Sequence, residues 1–136
     1  MKQVLPFLLI ILLVSCAKDV EDFTEIKNEI AGAWEYETYA GYPFNNTVLP
    51  PGNGNIIVIH KNGTFERKQH DTLLFSGFYE LERKKDCYQR STDILFSSNV
   101  PLYTAGHYVE VKNEKLTLTT PNCMMDGGTA YYRRIR

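Results

Sequence analysis

Groups able to do chemistry are sparse in this chain, and their spacing limits what they could support. Histidine stands at His60, His70 and His107, and cysteine at Cys16, Cys87 and Cys123. No two histidines have i,i+4 spacing and no Cys-x-x-Cys occurs, so the patterns that grip a metal ion are missing. Ser91, Asp93 and His107 supply the residue types of a hydrolase triad, but there is no Gly-x-Ser-x-Gly elbow to present the serine. Asp126-Gly127-Gly128 lacks the lysine and the following helix of a phosphate loop and reads as a turn. These residues predict no enzyme, no metal site and no cofactor. The thiol with a context is Cys16, which directly follows Leu13-Val14-Ser15 at the end of an apolar run.

That run begins behind Met1-Lys2 and extends from Val4 to Val14. It is too short to span a bilayer, which takes about 20 residues, and has the length of a secretory h-region. Leu13-Val14-Ser15-Cys16 resembles the lipobox of bacterial lipoproteins. The resemblance implies that residues 1–15 are a signal peptide, that Cys16 receives a diacylglyceryl group carrying acyl chains such as palmitate, and that the mature chain starts there. Ala17 stands where an aspartate would resemble an inner-membrane retention signal. Lys18-Asp19-Val20-Glu21-Asp22 is similar to the acidic stretch behind the lipidated cysteine of surface-exported Bacteroidota lipoproteins. The expected location is therefore the outer membrane, through a lipid anchor, on its periplasmic face or at the cell surface.

Removing 15 of 136 residues leaves 121, enough for a single core. Lys2 is the only charge in the leader, so 14 Lys+Arg face 16 Asp+Glu, a net charge near −2. That balance gives no reason to expect a nucleic-acid partner. With Cys16 lipidated, Cys87 and Cys123 form an even pair, read as a disulfide in an oxidising envelope. Asp71-Thr72-Leu73 matches the loose Asp-Thr-apolar sequon of Bacteroidota O-glycosylation, which marks Thr72.

The elements that position these residues follow from periodicity. Val20, Phe23, Ile26 and Ile30 recur at helical steps, which predicts a short amphipathic helix over Asp19 to Ile30, so residues 16–30 form a tether and helix. Past Gly32 the period becomes two, through Trp34, Tyr36 and Thr38. Ala40 to Asn55 is a long Pro/Gly/Asn loop. Ile56 to His60 is the clearest strand, and Asn62-Gly63 predicts a type I′ hairpin into Thr64 to Gln69. Further strands are expected at Leu73 to Leu81, Asp93 to Ser97, Tyr103 to Lys112, Leu116 to Thr120 and Thr129 to Ile135. Short strands joined by tight turns after one helix predict an all-β, antiparallel up-and-down barrel of about eight strands over residues 31–136. In such a meander Cys87 and Cys123 fall at opposite ends. A bridge then requires Cys87 well inside its strand, or an extra strand within Ser97 to Ala105.

Gly32-Ala33-Trp34 matches the G-x-W that opens lipocalins. Lys61-Asn62-Gly63-Thr64-Phe65, Gly77-Phe78-Tyr79-Glu80-Leu81, Lys115-Leu116-Thr117-Leu118 and Tyr131-Tyr132-Arg133 resemble, in order and spacing, the lipocalin-like domains of Bacteroidota lipoproteins. The resemblance implies that Trp34 plugs a closed barrel end behind Gly32 and that Arg133 or Arg134 packs across it. It also implies a small apolar ligand lined by Tyr36, Ile56, Val58, Phe65 and Tyr79. Within it, Tyr42-Pro43-Phe44 and Val48-Leu49-Pro50-Pro51 are a lid, or fold back on the barrel. His60 is expected as a wall residue and His70-Asp71 as a turn. The alternative is a barrel packed solid, acting as a structural or interaction module for another envelope protein.

Overall fold

The computed structural model describes residues 21–41, 47–85, 92–100, 106–121 and 127–136, with the backbone alone for 92–95. Asp22 decides where the helix starts. Its carboxylate accepts the Thr24 N–H at 2.9 Å, a local turn that competes with helix. Helix α1 therefore spans Thr24–Ile30, shorter than the Asp19 to Ile30 of the periodic pattern.

Eight strands follow: β1 Gly32–Gly41, β2 Asn55–Ile59, β3 Thr64–Gln69, β4 Thr72–Lys85, β5 Thr92–Ser98, β6 His107–Lys112, β7 Lys115–Thr119 and β8 Gly128–Arg134. Each pairs with the next, and β1 pairs antiparallel with β8, closing the barrel as expected. Because β1 and β8 pair with each other, neither terminal strand is left as a free sheet edge.

Turn chemistry is distributed differently from the expectation. At Asn62-Gly63 only Gly63 has positive φ (86°), its N–H bonds to the His60 carbonyl, and the His60 N–H bonds to the Thr64 carbonyl. This is a longer turn ending in one left-handed glycine, not a two-residue type I′ turn. The pairs with both φ values positive are His70 (46°) with Asp71 (64°) and Asn113 (52°) with Glu114 (59°). They close β3–β4 and β6–β7, and the handedness of such turns matches strand twist.

The interior is packed at the end carrying α1. Trp34, Ile57, Phe65, Phe96 and Leu116 are fully buried, and Ile30 seals them from the helix. Phe65 meets Phe96 edge-on at 5.8 Å, and Phe96 stacks on Tyr79 at 4.9 Å. The Tyr79 hydroxyl donates to the His60 carbonyl at 2.9 Å. Gly77 lies opposite Phe65 in the β3–β4 register. A Cβ there would come within 2.6 Å of Val100 and 3.0 Å of the Phe65 ring, so glycine lets Asn99 and Val100 fold in after β5. Asn99 fixes that segment by accepting the Phe78 N–H at 2.8 Å.

Cys16, Cys87 and Cys123 lie outside the described residues. The strands flanking the two distal cysteines do bear on the expected bridge. β4 ends at Lys85 and β5 begins at Thr92 at the helix end of the barrel, whereas β7 ends at Thr119 and β8 begins at Gly128 at the other. Among the described residues no extra strand restores parity, and a bridge needs Cα atoms within about 7 Å.

Candidate functional site

The closed end is built around Trp34. Its indole N–H donates to the Ile30 carbonyl at 2.7 Å, tying the barrel floor to the last turn of α1. Arg134 faces Trp34 across the β1–β8 pair and holds its guanidinium 4.0 Å above the ring. The same guanidinium donates to the carbonyls of Ala31 (3.1 Å) and Glu29 (2.8 Å). Gly32 has φ 138°, and a Cβ there would approach Arg134 to 2.9 Å. Of the two arginines singled out by the resemblance, Arg134 is therefore the one that packs across the tryptophan. Arg133 has the opposite parity and lies on the outer wall.

There Arg133 meets Glu35, which is only 5% exposed although it points away from the interior. The Val48–Gly54 part of the long loop lies over it rather than over the barrel mouth. Glu35 accepts the N–H groups of Gly52 (3.0 Å) and Gly54 (3.1 Å), with the Arg133 guanidinium 3.7 Å away. Arg133 donates in turn to the Leu49 carbonyl. Asn53 donates to the carbonyls of Tyr36 and Pro50, each at 2.9 Å. This cluster fastens the loop to the wall. Beside it runs an outer groove of about 510 Å³ bordered by Pro51, Gly52, Ile56 and Arg133. Tyr42, Pro43 and Phe44 of the expected lid lie outside the described residues.

The interior changes character toward the other end. Tyr36 packs edge-on against Tyr132 at 5.6 Å. A register shift between Tyr36 and Thr38 then turns Tyr39 to the same side as Ala130, so two tyrosines three positions apart both face in. The facing pair Gly41 and Gly128 leaves room for the Tyr39 ring; a Cβ on either would approach it to 2.7 Å or less. Arg67 pairs with Ile57 on one side and Phe75 on the other, which places its side chain inside the barrel. Its guanidinium lies 5.7 Å from the centre of the Tyr132 ring. Tyr36, Tyr39, Arg67 and Phe75 all point inward yet stay partly accessible, unlike the sealed layer beneath them. Burial pushes the Tyr36 phenol above its ordinary pKa, and the charge of Arg67 opposes that rise.

Of the five expected lining residues, Tyr36 borders this open half. Phe65 and Tyr79 are inward but belong to the packed layer, at 0% and 4% exposure. Ile56 and Val58 alternate with the buried Ile57 and Ile59 and so lie on the outer face, a correction to their expected place in the lining. The residues the periodic reading missed are Tyr39, reached only through the bulge, and Arg67, whose charge reads as solvent-facing.

His60 is an outer-wall residue 3.4 Å from Glu66, which also pairs with Lys68 at 2.8 Å. His70 sits in the β3–β4 turn, and Thr72 is exposed beside it at the start of β4. Ser91 lies outside the described residues, so the paper triad gains no geometry. Among the described residues no group of three or more His, Cys, Asp or Glu side chains could hold a metal ion.

His107 faces inward opposite Phe96, and burial holds its pKa below imidazole's ordinary 6.5. The folded protein thus prefers the neutral ring. Above pH 6.5 both states are neutral; below it the unfolded chain takes the proton first, so stability falls until the folded-state pKa is passed. Denaturant unfolding between pH 7 and 5 should show that decline, and His107→Leu should flatten it. Asp22, held low by its hydrogen bond to Thr24, and Glu66, held low by its hydrogen bond from Lys68, act only at more acid pH.

The fold and these sites define an up-and-down antiparallel barrel whose described inward side chains are fully buried toward α1 and partly accessible farther from it. Comparison of the chain with protein-family models, curated proteins and solved structures found no match.

Proposed function

We propose that this protein is a lipid-anchored envelope lipoprotein of lipocalin-like design whose barrel takes up a small, largely apolar ligand at its open end. The observation that carries the binding reading is the contrast within the barrel. One layer is sealed around Trp34, Phe65 and Phe96, while Tyr36, Tyr39 and Phe75 point inward and remain accessible. A barrel serving only as scaffold gains nothing from inward aromatics left partly unburied, since each forgoes hydrophobic stabilisation. The anchoring reading rests on Leu13-Val14-Ser15-Cys16 behind the short leader. Helix α1 closes the packed end, and Glu21 pairs with Arg83 of β4. An anchor at Cys16 therefore holds the packed end toward the bilayer and the mouth away from it.

Mass spectrometry of the full chain, produced in a Gram-negative host and extracted from membranes, tests both parts. Denatured, it should give a chain beginning at Cys16 with a diacylglyceryl adduct, and Cys16→Ser should release the protein from the membrane fraction. An unmodified Cys16, or a Cys16→Ser protein that stays attached, removes the anchor. Under native conditions a small molecule should co-purify and dissociate on unfolding. Its absence favours an interaction module, a reading supported by the exposed apolar side chains of β4, Leu73 (53%), Leu74 (56%) and Phe78 (66%).

A further inference from the structure

Arg67 is the unusual group of the open half. Its Nη1 is buried without a hydrogen-bond partner, and no described side chain facing the interior is a carboxylate. The acids nearest in sequence are turned away: Glu66 pairs with Lys68 on the outer wall, and Glu35 with Arg133. The contact Arg67 does make, with the Tyr132 ring at 5.7 Å, is at the long end of cation–π range. A buried guanidinium donor without an acceptor costs free energy, and an arginine fork is matched by planar or tetrahedral oxyanions. Ile57 beside it in the register and Phe65 and Phe96 toward the closed end are fully buried, so Arg67 stands at the upper border of the sealed layer. Above it Tyr36 and Tyr39 offer ring faces with hydroxyl tips, suited to an apolar or aromatic body.

We infer that the ligand is a monoanionic amphiphile, entering anion first, whose carboxylate or similar oxyanion is held by Arg67 while Tyr36, Tyr39 and Phe75 flank its apolar part. This rests on the ligand-binding reading proposed above and names its ligand class. Because the layer beneath Arg67 is sealed, the apolar part lies on the Tyr36 and Tyr39 side and does not thread through the barrel.

The test uses two fluorescent probes of one framework, 8-anilinonaphthalene-1-sulfonate and the uncharged N-phenyl-1-naphthylamine, with decanoate and decanol as competitors. Wild-type protein should bind the sulfonate at least tenfold tighter than the neutral probe, and decanoate should displace it far better than decanol. Arg67→Met should remove that preference by weakening the sulfonate at least tenfold, and Arg67→Lys should restore part of it. Without ligand, Arg67→Met should melt at or above the wild-type temperature, because it deletes an unsatisfied donor. Equal binding of both probes, unmoved by Arg67→Met, overturns the anion inference and leaves the binding barrel standing. Binding of neither probe overturns both. A sharp fall in melting temperature in Arg67→Met and Arg67→Lys alike makes Arg67 a structural residue and also overturns the inference.

Discussion

Trp34→Ala is expected to cost about 4 kcal/mol, within the range for truncating a buried aromatic and leaving a cavity. Three losses coincide. The largest buried side chain disappears from a layer with no accessible surface. The Ile30 carbonyl loses its indole donor, and Arg134 loses the ring it covers at 4.0 Å. For a barrel of this size each kcal/mol lowers the melting temperature by roughly 3–6 °C, so a fall of about 15–20 °C is expected in thermal unfolding. Trp34→Phe keeps a ring under Arg134 but not the N–H, and should lose about half as much. Hydrogen exchange adds a local readout, since α1 is joined to the barrel through this tryptophan and Arg134. Its amides should exchange faster in the alanine variant. An alanine variant within 1 kcal/mol of wild type means the closed end does not depend on the plug.

Glu35→Ala is the second large effect, about 3 kcal/mol. Removing one member of a buried ion pair leaves the other charge without compensation. Here Arg133 keeps only the Leu49 carbonyl, while the Gly52 and Gly54 N–H groups lose their acceptor. Those two amides lie in a loop that can lift into water, which limits the loss but releases the loop. The expected signature is a lower denaturation midpoint together with fast amide exchange and new proteolytic cleavage at Val48–Gly54. Glu35→Ala combined with Arg133→Ala should cost clearly less than the sum of the single changes. Strict additivity would show that the two side chains are not coupled.

These two residues also show what the chain's alphabet conveys. Trp34 behind Gly32 is legible because a tryptophan on a period-two pattern has one sensible place, the interior. Glu35 reads as solvated for the equally good reason that carboxylates are seldom buried unpaired. What covers it is a loop held by contacts with partners 17 and 19 residues away, which no local pattern encodes. The run Ile56-Ile57-Val58-Ile59 is apolar at every position, so its composition announces a strand but not which residues face in. Register against Trp34 decided for Ile57 and Ile59. Arg67 carries a charge that gives no sign of an inward place, and Tyr39 is hidden by a one-residue bulge that reverses the parity after Tyr36.

By itself, then, the sequence determined the element types, their order, the meander and its closure, because hydrophobic period and turn residues are local properties of the chain. It also carried the apolar run from Val4 to Val14 and Cys16 behind it, whose reading as a lipobox depends on neighbours in sequence. The tertiary structure alone decided which side of each strand is interior, which arginine meets Trp34, and that Arg67 stands inside with no counter-charge among the described residues. Those outcomes depend on register between strands distant in sequence. A shift of one residue exchanges every inward side chain for its outward neighbour.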